Sequence, residues 1–89
     1  MPDLDAKPAL APGYRFQWEP VQGCHVLLYP EGMVQLNETA AAILSFCDGQ
    51  RNILRVIADL ENEYAAEGLR EDVLSFLAEA VERGWVRYA

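Results

Sequence analysis

A chain of 89 residues, 52% apolar, makes one domain around a single core, and no cofactor is expected to complete that core. Fourteen acidic residues against seven basic ones, a net charge of −7, argue against a nucleic-acid surface, whose affinity rests on neutralising phosphates. No apolar run approaches the roughly 18–20 residues of a membrane-spanning helix, and the N-terminus lacks a basic stretch followed by an apolar one, so neither a membrane segment nor a signal peptide is expected. The expected address is the cytoplasm.

Residues 1–12 hold three of the five prolines and show little periodicity, which predicts a loosely held, flexible arm ahead of a single domain over 13–89. Tyr14, Phe16 and Trp18 alternate with Arg15 and Gln17, a period of two that predicts a strand with one aromatic face. Val26, Leu27, Leu28 and Tyr29 are apolar in succession, so the next strand is expected to be covered on both faces. Pro30, Glu31 and Gly32 make a tight turn, and Met33, Val34, Gln35 and Leu36 return as a third strand. These three strands form an antiparallel meander.

Asn37 is placed to cap a first helix, with Ala40, Ile43, Leu44 and Cys47 on one face and Asp48-Gly49 closing it. Asn52 caps a second, whose stripe is Ile53, Val56, Ile57, Leu60 and Tyr64. A third starts near Arg70, carries Glu71 and Asp72 in its first turn, and buries Val73, Phe76, Leu77, Ala80 and Val81 before Gly84 ends it. Trp85 to Tyr88 form an extended tail. The inventory is α+β, a winged helix-turn-helix-like domain with a three-stranded antiparallel meander followed by a three-helix bundle.

Chemistry is sparse. The single histidine, His25, adjoins Cys24, but neighbouring strand residues point to opposite faces and no CxxC or HxxxH spacing accompanies them, so neither catalysis nor metal binding is expected. Cys24 and Cys47 sit in apolar contexts and read as free, core-type cysteines. Asp59, Glu61, Glu63 and Glu67 read as a solvated helix face. A winged-helix transcription regulator is the alternative function. It needs a basic third helix, and residues 70–84 instead carry four acids against two arginines.

The string LLYPEGMVQLNETAAAILSFCDG resembles the signature of the PqqD family of pyrroloquinoline quinone biosynthesis, with Pro8, Pro12-Gly13-Tyr14-Arg15, Asp72-Val73, Phe76-Leu77 and Gly84-Trp85-Val86 extending the likeness over nearly the whole chain. The resemblance implies a non-catalytic peptide chaperone without cofactor or metal, a recognition element for ribosomally made, modified peptides. It implies binding of the precursor peptide PqqA and its presentation to the radical SAM enzyme PqqE. It also implies that the peptide adds as a strand to the third strand, Met33, Val34, Gln35 and Leu36, against a wall of Val73, Phe76, Leu77 and Ala80. The last strand of a meander leaves one row of backbone groups unpaired, which suits strand addition and equally suits a homodimer. The same apolar residues are equally well accounted for as core, and the sequence leaves that open.

Overall fold

The computed structural model describes residues 3–89. In chain order it has β1 (Pro8–Leu10), β2 (Arg15–Glu19), β3 (Cys24–Tyr29), β4 (Gly32–Gln35), α1 (Glu38–Ser45), α2 (Ile53–Glu63), α3 (Arg70–Glu82) and β5 (Val86–Tyr88). β2, β3 and β4 form the expected antiparallel meander, with Leu27 opposite Phe16 on one side and Val34 on the other. Those three side chains share the face turned to the helices, where Leu27 is fully buried and Phe16 and Val34 pack against the core. Val26 points to the opposite face yet is also fully buried, with Gln17 and Gln35 directly across on the two neighbouring strands. Both faces of this strand are covered at its centre, as its unbroken apolar run requires.

The helix caps follow from local chemistry. Asn37 and Asn52 each accept an N–H bond through the side-chain oxygen, from Ala40 and Arg55 respectively, both at 2.8 Å. α3 closes in a Schellman turn: Gly84, at φ 81°, donates to Val81 at 3.0 Å, and Trp85 donates to Ala80 at 2.9 Å. α2 closes in the same way, but the left-handed position is filled by Ala65 at φ 49°.

Several expectations are corrected. The N-terminal segment is tied down over its second half, not loosely held: Pro8 is fully buried, and β1 pairs with β5 in a second, two-stranded sheet. Ala6 and Leu4 also lend their carbonyl oxygens to the N–H groups of Ile53 and Leu54, donors that the first turn of α2 cannot satisfy internally. Gly49 does not close α1, which ends at Ser45. Its left-handed backbone, φ 75°, belongs to the following loop, where its N–H donates to Pro8 at 2.9 Å and Ala9 lies so close that an added Cβ would stand 3.3 Å from it. Tyr64 and Val81, assigned to buried stripes, are 58% and 39% exposed: Tyr64 is the C-cap of α2, and Val81 sits at the margin of the α3 stripe beside fully buried Ala80.

The core joins Leu27 and Leu36 of the sheet side to Ile43, Leu44, Ile53, Val56, Leu60, Val73, Leu77 and Val86. Among the described residues, no helix is long and apolar enough to cross a membrane.

Candidate functional site

β4 is an outer strand of its sheet, and one hydrogen bond settles which of its backbone groups are open. Leu36 donates its N–H to the carbonyl of His25 at 3.0 Å. In an antiparallel ladder, bonded and non-bonded pairs alternate. Counting back along the register, Val34 opposite Leu27 and Gly32 opposite Tyr29 turn their N–H and C=O groups toward β3, while Met33 and Gln35 turn theirs to the open edge. The side chains of Met33 and Gln35 are exposed as well, on the sheet face opposite the core.

The end of this edge borders a cleft of about 230 Å³ between β4, the start of α1, α3 and the tail, lined by Gln35, Leu36, Asn37, Thr39, Ala40, Phe76, Glu79 and Trp85. Leu36 and Ala40 form its floor from the core side, and half-buried Phe76 and Trp85 form its apolar walls. Glu79 and Arg83 make an i,i+4 ion pair at 3.3 Å, and the Arg83 guanidinium lies 5.4 Å over the Trp85 ring. That chain of contacts, started by the Schellman turn at Gly84, fixes the indole against the outer end of α3.

The eight residues assigned from sequence divide into two groups. Met33, Gln35, Leu36 and Phe76 lie at the edge or in the cleft, and Val34 stands between, its backbone committed to β3 and its side chain against the core. Val73, Leu77 and Ala80 are buried to within 1% and hold up α3 from beneath; they do not present themselves at the cleft surface. Of the cleft residues, Asn37, Thr39, Ala40, Glu79 and Trp85 were not assigned to the site. Glu79 follows Phe76 by three positions and so shares its face, a signal the sequence contained. Thr39 and Trp85 reach the cleft only through the packing of α1 and the tail.

Elsewhere, polar groups have structural work. Asp59 pairs with Arg51 at 2.8 Å and with Arg55 at 2.9 Å, and Glu61 accepts from the backbone of Leu69 at 3.0 Å, so part of the acidic α2 face braces the loop into α3. Asp48 accepts N–H bonds from Gln50 and Arg51, which hold its carboxyl below the ordinary range. Burial, aided by the neighbouring Asp48 charge, pushes the Cys47 thiol up to about 12, and its Sγ donates to the Ile43 carbonyl at 3.3 Å. His25 is stacked on Phe16 at 4.9 Å and meets Trp18 edge-on at 5.1 Å. Among the described residues, no three of His, Cys, Asp and Glu are grouped to hold a metal ion.

Fold and site together define a small α+β domain of winged helix-turn-helix type whose distinctive surface is an open strand edge beside a helix-walled cleft. The chain belongs to the PqqD family: the family model "Coenzyme PQQ synthesis protein D (PqqD)" matches residues 24–86. It is 56% identical over 84 residues to the PqqA binding protein of Stutzerimonas stutzeri, spanning 93% of this chain and 91% of that one. It is 51% identical over 78 residues to the PqqA binding protein of Methylococcus capsulatus, spanning 88% and 84%. The solution NMR structure of the PqqD truncation of Methylobacterium extorquens PqqCD superposes with a TM-score of 0.74 at 29% identity, over 90% of this chain and 87% of that one; it is described as a functional, stand-alone recognition element for ribosomally synthesized, modified peptides.

Proposed function

We propose that this chain is a non-catalytic binder of a PqqA-type precursor peptide in pyrroloquinoline quinone biosynthesis, acting in the cytoplasm and presenting the peptide to the radical SAM enzyme PqqE. The relatives named PqqA binding protein support the peptide, and the open edge supports the mode. The peptide adds as a strand beside β4 and bonds to the outward N–H and C=O groups of Met33 and Gln35. Successive peptide side chains then alternate in direction, so every second one is offered to the cleft between β4 and α3. Main-chain bonds give affinity, and Phe76, Trp85 and Leu36 select an apolar side chain. The observation that carries this reading is the outward backbone of Gln35, a residue that also lines the cleft.

Calorimetric titration with a synthetic PqqA peptide tests it, run with the native chain and with Gln35→Pro. Proline at 35 deletes an edge donor and leaves the bonds between β3 and β4 intact. Saturable binding that the variant loses while staying folded is the expected result; equal binding by both rules out strand addition at this edge. Presentation predicts that PqqE modifies the peptide in the presence of the native chain and fails with Gln35→Pro. A second copy of the chain, pairing through the same edge as a homodimer, would compete with the peptide, and a monomer mass in sedimentation at micromolar concentration would exclude it.

A further inference from the structure

A second cleft, of about 250 Å³, lies on the other side of the first turn of α1. Thr39 lines both clefts, so the two are adjacent. The walls of the second come from α1, the end of α2 and its exit loop, and the first turn of α3. Ala42 and Leu69 give it a partly exposed apolar floor over buried Val73, and the Tyr64 ring, 58% exposed, stands at its side. Two carboxylates flank it, Glu38 and Asp72, both exposed. Among the described residues neither has an ion-pair partner, and no cationic side chain lines the cleft.

We infer that this cleft receives an arginine side chain displayed by a partner protein. The chemistry matches group by group. An arginine carries an apolar stem that fits Ala42 and Leu69, a planar cation that stacks on an aromatic face, and a fork of donors that engages carboxylates. A lysine satisfies only the charge. Glu38 and Asp72 already stand in the first turns of α1 and α3, where the helix dipole favours a carboxylate; a neutral apolar side chain would add nothing to these charges, and an acidic one would be repelled by them. The net charge of −7 adds a general attraction for a basic partner surface. A partner seated here would lie directly beside a strand docked on β4, across Thr39, without occupying that edge.

The test uses N-acetyl-leucyl-arginine amide as the probe, titrated into isotope-labelled native protein and followed by amide chemical shifts. Saturable shifts are expected at Thr39, Ala42, Ala66, Leu69 and Asp72, with those of Met33 and Gln35 unmoved. The citrulline analogue, which keeps the shape and loses the charge, is expected to bind about fivefold more weakly, the worth of an ion pair with exposed carboxylates. Glu38→Gln combined with Asp72→Asn is expected to weaken the arginine probe by a similar factor. Absent shifts, shifts scattered over all acidic surfaces, or equal binding of the citrulline analogue would overturn the assignment. The two probes are compared on native protein, so their difference does not depend on whether the variant folds. Because no PqqA peptide is used, failure here leaves the β4 reading intact, and failure there leaves this one intact.

Discussion

The N–H of Leu36 donates to the carbonyl of His25 at 3.0 Å, and this bond fixes the parity of the whole β4 edge. Val34 falls on the inward-bonded side of that parity and Gln35 on the outward side. Amide hydrogen exchange reads the difference directly. In the free protein Val34 and Leu36 are expected to be protected and Met33 and Gln35 to exchange quickly. On adding a PqqA peptide, Met33 and Gln35 are expected to gain protection. Unchanged exchange at both under saturating peptide would place the peptide off this edge.

Proline scanning separates the same two roles. Val34→Pro removes a donor that the ladder assigns to the Leu27 carbonyl, leaving a buried acceptor unsatisfied at a cost of about 1–3 kcal/mol. Gln35→Pro removes a donor that faces outward and is expected to cost much less. Chemical denaturation of the two variants checks the order, and the reverse order would contradict the parity.

Along α3, Leu77 and Phe76 point to different duties. Leu77→Ala cuts into a fully buried position and is expected to cost about 2–5 kcal/mol of stability. Phe76→Ala trims a half-buried cleft wall, so it is expected to cost less stability and to weaken peptide binding by about tenfold, equivalent to about 1.4 kcal/mol. Denaturation and calorimetry on the same two proteins decide whether packing and binding are divided in this way.

Ala65 holds the left-handed position after α2 at φ 49°, where a side chain costs energy and glycine does not. Ala65→Gly is expected to stabilise the chain by about 1 kcal/mol, since relieving this backbone conformation outweighs the added freedom of the unfolded glycine. A lower midpoint of urea unfolding would show that the turn is not strained.

The two thiols are expected to differ under alkylation. Cys24 is partly exposed and should react in the native state, whereas Cys47 is buried and should react only on unfolding. Cys47 ionises in the unfolded chain from its ordinary 9.0 upward, but in the fold only near 12. The unfolded state therefore binds fewer protons across that range, so stability should fall as pH rises from 9 toward 12. Cys47→Ala should lessen this alkaline slope. Asp48 acts at the other end: its lowered carboxyl pKa gives stability above 3.8 that is lost as pH falls below it, and Asp48→Ala should flatten that acid limb.

Local signals carried much of this fold. The Asn37 and Asn52 caps, the turn at 30–32, the aromatic alternation before it and the three apolar stripes, Tyr64 and Val81 apart, are each decided within a few residues, and the folded chain keeps them. The family string was legible for the same reason, being nearly continuous from Leu27 to Gly49. What only the tertiary structure decided is long-range. β1 and β5 are three residues each, too short to show a period, and their partners stand some 80 residues apart in the chain, as with Pro8 and Tyr88. Which part of the α3 stripe is interior depends on where the sheet and α1 press on it, so Val73, Leu77 and Ala80 became core and Phe76 became wall. An apolar residue in a sequence records that a side chain prefers to leave water; the neighbours that take it out of water are chosen only when the chain closes on itself.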